Sequence, residues 1–144
     1  MNVRGLRGTV KRRSIFTYLK DQEANVYFLQ ETFSKVSDEA IWRNDWGCEI
    51  YFSHGTSQSK GVCILINWAV KEKVTSSSDA DSRIILINLT NNGLKLSFCN
   101  IYAPNDHTQQ VSFIQQLNEQ IGNYNSCWHT KNSLSECQQV LPQV

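Results

Sequence analysis

The sequence predicts an α/β fold with mixed strand pairing and helices covering one sheet face. Three observations carry that expectation. Short apolar runs rich in β-branched and aromatic residues, bounded by polar loops, fill the middle of the chain. An Asn92-Gly93 pair separates two of them. The stretch from 108 to 121 keeps a helical period instead.

The elements follow in order. "RSIFTYLKD" spaces Ile15 and Leu19 four apart and predicts a short amphipathic helix after a basic segment. "NVYFLQE" is an apolar run between polar flanks, read as a buried strand over 26–30. "VSDEAIWRND" offers Ser37 as N-cap, acids in the first turn and Trp42 on the covered side. "CEIYFS" and "GVCILIN" are strands joined by the polar loop "HGTSQSK", and "VKEKVTS" is a more exposed third strand. "RIILINL" and "LKLSFCNIY" flank "TNNG", whose Asn-Gly supplies the positive φ angles of a tight hairpin. Then Val111, Ile114, Leu117 and Ile121 share one helical face, with Thr108 as N-cap. From Gly122 onward no period is legible, so 122–144 is expected to be a divergent, disordered tail.

With 144 residues, 40% hydrophobic and 19% charged, the composition is that of one globular domain. No apolar run approaches the ~18 residues that span a bilayer, so no membrane partner is expected. "MNVRGLRGTVKRR" lacks the apolar core of a secretory signal. Five cysteines without a CxxC pair then predict a reducing, intracellular compartment rather than a disulfide scaffold. The net charge of +1 hides an asymmetry: Arg4, Arg7, Lys11, Arg12, Arg13 and Lys20 precede the first acid, Asp21. That segment reads either as a phosphate-facing patch or as the solvated face of a helix.

Three stretches place polar groups at the ends of apolar segments: "MNVRGL" with Asn2, "FLQET" with Glu31, and "NIYAPND" with Tyr102, Asn105 and Asp106. Pro104, Asn105 and Asp106 read equally as a simple strand stop. If the strand ends converge, the set suits a phosphodiester-cleaving centre. Mg²⁺ needs one or two carboxylates and keeps several waters, an amide orients phosphate or water, and a phenol meets a non-bridging oxygen. His54 and His107 show no paired acid at a telling spacing, and no P-loop, HExxH or GxSxG occurs.

"NVRGL", "LQET", "SQSKGVCILIN", "RIILINL" and "NIYAPND", in that order, resemble the endonuclease/exonuclease/phosphatase superfamily, most of all the apurinic-type endonuclease domain of LINE-type retrotransposons. The resemblance covers 1–121 and implies part of a four-layer α/β sandwich, with mixed, largely antiparallel sheets and flanking helices. It implies Mg²⁺ as cofactor, DNA as partner, and access to the nucleus. By motif, Glu31 resembles the metal ligand, Asn2 the amide of the first active-site strand, and Tyr102 and Asn105 the phosphate-contacting tyrosine and substrate-positioning asparagine. By charge and place in the chain, Arg4 and Lys60 are expected to face DNA.

The family's later G-D-x-N and S-D-H motifs do not occur; "GNYNSCWHTKNS" stands where the first is expected. The expectation is therefore an N-terminal portion of such a nuclease domain, catalytically incomplete, with one sheet lacking a partner for its inner face. The alternatives are a non-catalytic nucleic-acid-binding fragment using the basic N-terminus, or an unfolded product of a degenerate mobile element.

Overall fold

The computed structural model describes residues 1–72 and 74–129, with side chains as far as 123. Among the described residues three α-helices and six strands follow in the order α1 (Thr9–Asp21), β1 (Val26–Gln30), α2 (Glu39–Trp46), β2 (Glu49–Ser53), β3 (Val62–Ile66), β4 (Val74–Ser78), β5 (Ile84–Asn91), β6 (Leu94–Ile101) and α3 (His107–His129). Two antiparallel sheets of three strands form, ordered β1-β3-β2 and β4-β5-β6. A parallel bridge between Asn2 and Gln30 adds the N-terminal segment to the β1 edge, which makes the pairing mixed.

Four layers result. Val62, Ile64 and Ile66 of β3 meet Ile85, Ile87 and Leu89 of β5 between the sheets. On the other side of the first sheet, Tyr27, Leu29, Ile50, Cys63 and Leu65 pack under Phe16, Leu19, Trp42 and Trp46 of α1 and α2. Behind the second sheet, Ile84 and Leu86 pack under Phe113 of α3. Both central strands are thus buried on both faces, and period-two alternation disappears from them. This corrects two expectations. Helices cover both outer faces rather than one, and neither inner face is left open, because two sheets of equal strand number cover each other.

The Asn92-Gly93 hairpin forms as read: Asn91 pairs with Leu94 across φ angles of 52° and 80°. The caps differ. Asp38, not Ser37, precedes α2; a single 3₁₀ turn intervenes, and the Asp38 carboxylate accepts from the Lys35 amide at 2.9 Å. Asp106, not Thr108, caps α3, accepting from the Thr108 amide and hydroxyl at 2.9 and 2.8 Å.

The buried face of α3 holds Phe113, with Leu117 and Ile121 beside it, while Val111 and Ile114 are 65% and 54% exposed. At about 100° per residue that face is rotated by roughly 50° from the one expected. Phe113, the largest apolar side chain on the helix before residue 121, takes the sheet contact and carries the face round. The helix also runs through Gly122 to His129; the remainder of the expected tail lies outside the described residues.

Candidate functional site

Side-chain amides bring the ends of β1 and β6 together. Asn100, 3% exposed, donates through Nδ2 to Leu29 O at 2.9 Å and Cys63 O at 2.8 Å, so a side chain of the second sheet holds two carbonyls of the first. Gln30 Nε2 returns the tie to Ile101 O at 2.6 Å. The N-terminal segment is fixed to the same end of β1 by Val3 N to Gln30 O and Gln30 N to Met1 O, each 2.9 Å.

These ties deliver three side chains to one place. The Tyr102 hydroxyl donates to Glu31 Oε1, and the Asn2 side chain stands close enough to Glu31 to favour its charged form. Asn2 Oδ1 accepts the Arg4 amide at 3.1 Å, which leaves its NH₂ group as the side that can turn to the carboxylate. Tyr102, then Asn2, hold the Glu31 carboxyl below its ordinary range against partial burial, and the nearby Arg4 charge adds to this. The reciprocal effect raises Tyr102: its bond to Glu31, burial and the Glu31 charge all disfavour the phenolate, with Arg83 opposing. At neutral pH the pair is therefore carboxylate and neutral phenol.

The backbone around this pair is strained. Arg4, Glu31, Phe33, Lys60 and Ser82 all have φ between 46° and 60°. Each such non-glycine residue costs on the order of 1–2 kcal/mol. A ladder of backbone bonds joins their loops: Gly5 N to Glu31 O, Leu6 N to Thr32 O, Thr32 N to Gly61 O, Phe33 N to Lys60 O and Gly61 N to Ser82 O. Gly61, at φ 86°, has no room for a side chain, since a Cβ there would lie 2.7 Å from Thr32 Oγ1.

Of the residues singled out by sequence, Asn2, Glu31 and Tyr102 meet, with Arg4 adjoining. Lys60 sits in the same ladder of loops through its carbonyl. Asn105 is exposed between β6 and α3 and, among the described residues, shares no hydrogen bond with the other three. The basic segment is largely spent on the protein itself. Arg7 pairs with Asp38 at 3.0 Å, Arg12 and Arg13 with Asp45 at 2.7 and 3.0 Å, and Lys20 lies 5.2 Å from the Trp46 ring centre. Arg12 is 1% exposed.

Sequence reasoning missed Asn100, Gln30 and Arg83. Arg83 lies over the Tyr102 ring at 5.3 Å and donates to Tyr102 O at 3.1 Å. Asn100 carried a usable signal, because an amide inside an apolar strand must find partners when buried. His54 does have an acid, Glu39, at 2.9 Å.

Among the described residues no three His, Cys, Asp or Glu side chains cluster. The donors at the site are one ionised carboxylate and neutral oxygens. That set does not suit zinc, but it fits a hard cation that keeps most of its waters.

No family model matches the chain. A curated sequence, an uncharacterised 149 kDa protein of transposon TX1 from Xenopus laevis, is 26% identical over 118 residues, 81% of this chain and 9% of that protein. Among solved structures, truncated TDP2 from Caenorhabditis elegans superposes with a TM-score of 0.60 at 17% identity, over 90% of this chain and 55% of that one. The endonuclease domain of TRAS1, a telomere-specific non-LTR retrotransposon, gives 0.55 at 10% identity, over 83% and 50%. The fold that the motif resemblance implied is the fold these proteins share. The chain spans about half the length of these solved relatives.

Proposed function

We propose that this chain is the N-terminal portion of a Mg²⁺-dependent, phosphodiester-cleaving DNA endonuclease domain of a LINE-type retrotransposon, acting in the nucleus and catalytically incomplete as it stands. The observation that carries the reading is the meeting of Glu31, Asn2 and Tyr102, drawn from the N-terminal segment, β1 and β6, with the carboxylate ionised and the phenol protonated. Likeness to a transposon protein and to a retrotransposon endonuclease domain supports it.

In this reading Glu31 would hold the metal, which when bound supplies a Lewis acid for a phosphoryl oxygen, and the Asn2 amide would orient phosphate or water. Tyr102 keeps its proton and, when Glu31 takes the metal instead, would offer it as a hydrogen bond to a phosphate oxygen, while Arg83 fixes the ring. Asn105 positions substrate from its exposed loop, and Arg4 and Lys60 meet flanking phosphates. A general base is what the described residues do not supply. His54 is held between Ser34 and Glu39, and His107 bonds Gln110 at 3.1 Å. A positioned base contributes about 10²–10⁴ in rate.

The reading as a non-catalytic nucleic-acid-binding fragment draws less support, because most of the N-terminal cations have internal partners. Plasmid nicking with Mg²⁺ tests the proposal. No nicking above background is expected from the chain. Nicking that disappears in Glu31→Gln would show a complete nuclease and overturn the claim of incompleteness.

A further inference from the structure

Beside the site, four side chains stand in one hydrogen-bonded line. Thr32 Oγ1 lies 3.2 Å from Ser34 Oγ, Ser34 Oγ 3.0 Å from His54 Nδ1, and His54 Nε2 2.9 Å from Glu39 Oε1. Arg43 donates to the other Glu39 oxygen at 3.1 Å, and the His54 ring stacks on Phe52 at 5.1 Å. A hydroxyl, an imidazole and a carboxylate in sequence suggest an activated nucleophile. Ser34 is 0% exposed, however, so no substrate atom reaches its oxygen. The line is mechanical.

Its direction follows from the acid. Burial pushes the Glu39 carboxyl up, but the bonds from His54 and Arg43 more than offset this and leave it lowered. A carboxylate only accepts, so Nε2 carries the hydrogen. In the neutral imidazole Nδ1 then accepts the Ser34 hydroxyl, and Ser34 in turn accepts from Thr32.

We propose that His54 is a positioning residue: by gripping Ser34 through Nδ1 it fixes the segment 31–34 and so sets where the Glu31 carboxylate stands. Glu31 and Phe33 have φ of 54° and 57°, conformations that persist only when their surroundings hold them. The grip falls on Thr32 and Ser34, the residues flanking Phe33 and following Glu31. The proposal rests on the reading above only for the role given to Glu31.

Amide hydrogen exchange by NMR on the full chain tests it. The Gly5, Thr32 and Phe33 amides bond to Glu31 O, Gly61 O and Lys60 O, so they report on this segment. In His54→Asn the side-chain oxygen takes the place of Nδ1 and keeps Ser34; His54→Gln reaches Glu39 instead; His54→Ala keeps neither. Exchange at the three amides should quicken roughly tenfold or more in the Ala and Gln variants and stay near the parent rate in Asn. Tyr102 ring resonances should move in the same two variants toward their positions in Glu31→Gln, while β5 amides hold their rates in all. Unchanged exchange in His54→Ala, or equal quickening in β5, would overturn the proposal. Should His54→Ala not fold, the Asn–Gln contrast decides. Mn²⁺ titration of the parent chain, followed by electron paramagnetic resonance, separates the two ideas. Without Mn²⁺ binding the metal reading fails, while the exchange pattern still decides the brace.

Discussion

Replacing Asn100 with alanine tests whether one buried amide locks the two sheets in the arrangement the site needs. The substitution deletes both Nδ2 bonds, to Leu29 O and Cys63 O, and leaves a small void between the sheets. A hydrogen bond of this kind contributes about 0.5–1.5 kcal/mol net, and a buried group stripped of its partner costs about 1–3 kcal/mol. Two groups stripped of their partner together amount to about 2–6 kcal/mol, a large part of the roughly 5–15 kcal/mol that holds a domain folded. With a urea m-value of ~1.5 kcal/mol/M, the unfolding midpoint should fall by roughly 1.3–4 M. Fluorescence of the buried Trp42 and Trp46 follows the transition. Asn100→Asp keeps the shape but sets a carboxylate against two carbonyl oxygens. It should be less stable than Asn100→Ala at pH 7 and recover as acid protonates it into a donor. An Asn100→Ala midpoint within ~0.3 M of the parent would refute the cross-sheet role, as would an Asp variant no less stable than Ala at neutral pH.

Two further outcomes follow from the same structure. Arg12→Met should cost about 3 kcal/mol, because it strips the main partner from Asp45, whose side chain is 4% exposed. Asp45 is held below its ordinary range by Arg12 first, and by Arg13, against burial. Its contribution is therefore present above the unfolded carboxylate value near ~4 and is lost as pH falls through the lower folded value. Thermal melts from neutral to acid pH should fall more steeply for the parent than for Arg12→Met, and parallel curves would contradict the pairing. On α3, Phe113→Ala should lose about 3–5 kcal/mol while Ile114→Gln stays within about 0.5 kcal/mol, both read by urea unfolding. Similar losses at the two positions would mean the helix face is wrongly placed.

How much of this was legible depends on the range of the physics involved. The Asn92-Gly93 hairpin, the β1 and β3 strands and the existence of the last helix were set by local chemistry: φ preference, β-branching and period. The meeting of Asn2, Glu31 and Tyr102 came from motif resemblance, since residues 71 apart carry no local sign of their contact. Sequence leaves the basic segment open between two readings because charge counts ignore partners, and Asp38 and Asp45 lie more than 30 residues away. The helix caps shifted because a 3₁₀ turn delays the start of α2 past Ser37, and because Asp106 reaches the Thr108 amide at the start of α3. The face of α3 turned because a phenylalanine outweighs two smaller residues once a sheet is there to receive it.

Sequence by itself determined which segments extend, turn or coil, because those choices are made within a few residues. Tertiary structure decided what the site is made of. Asn100 became a cross-sheet clasp, and His54 became a link between Ser34 and Glu39 rather than a free loop base. Five left-handed residues were drawn into one ladder of loops. Each of these depends on polar groups finding partners after burial. A buried donor or acceptor cannot stay unpaired cheaply, so the final packing, and not the local sequence, selects its partner.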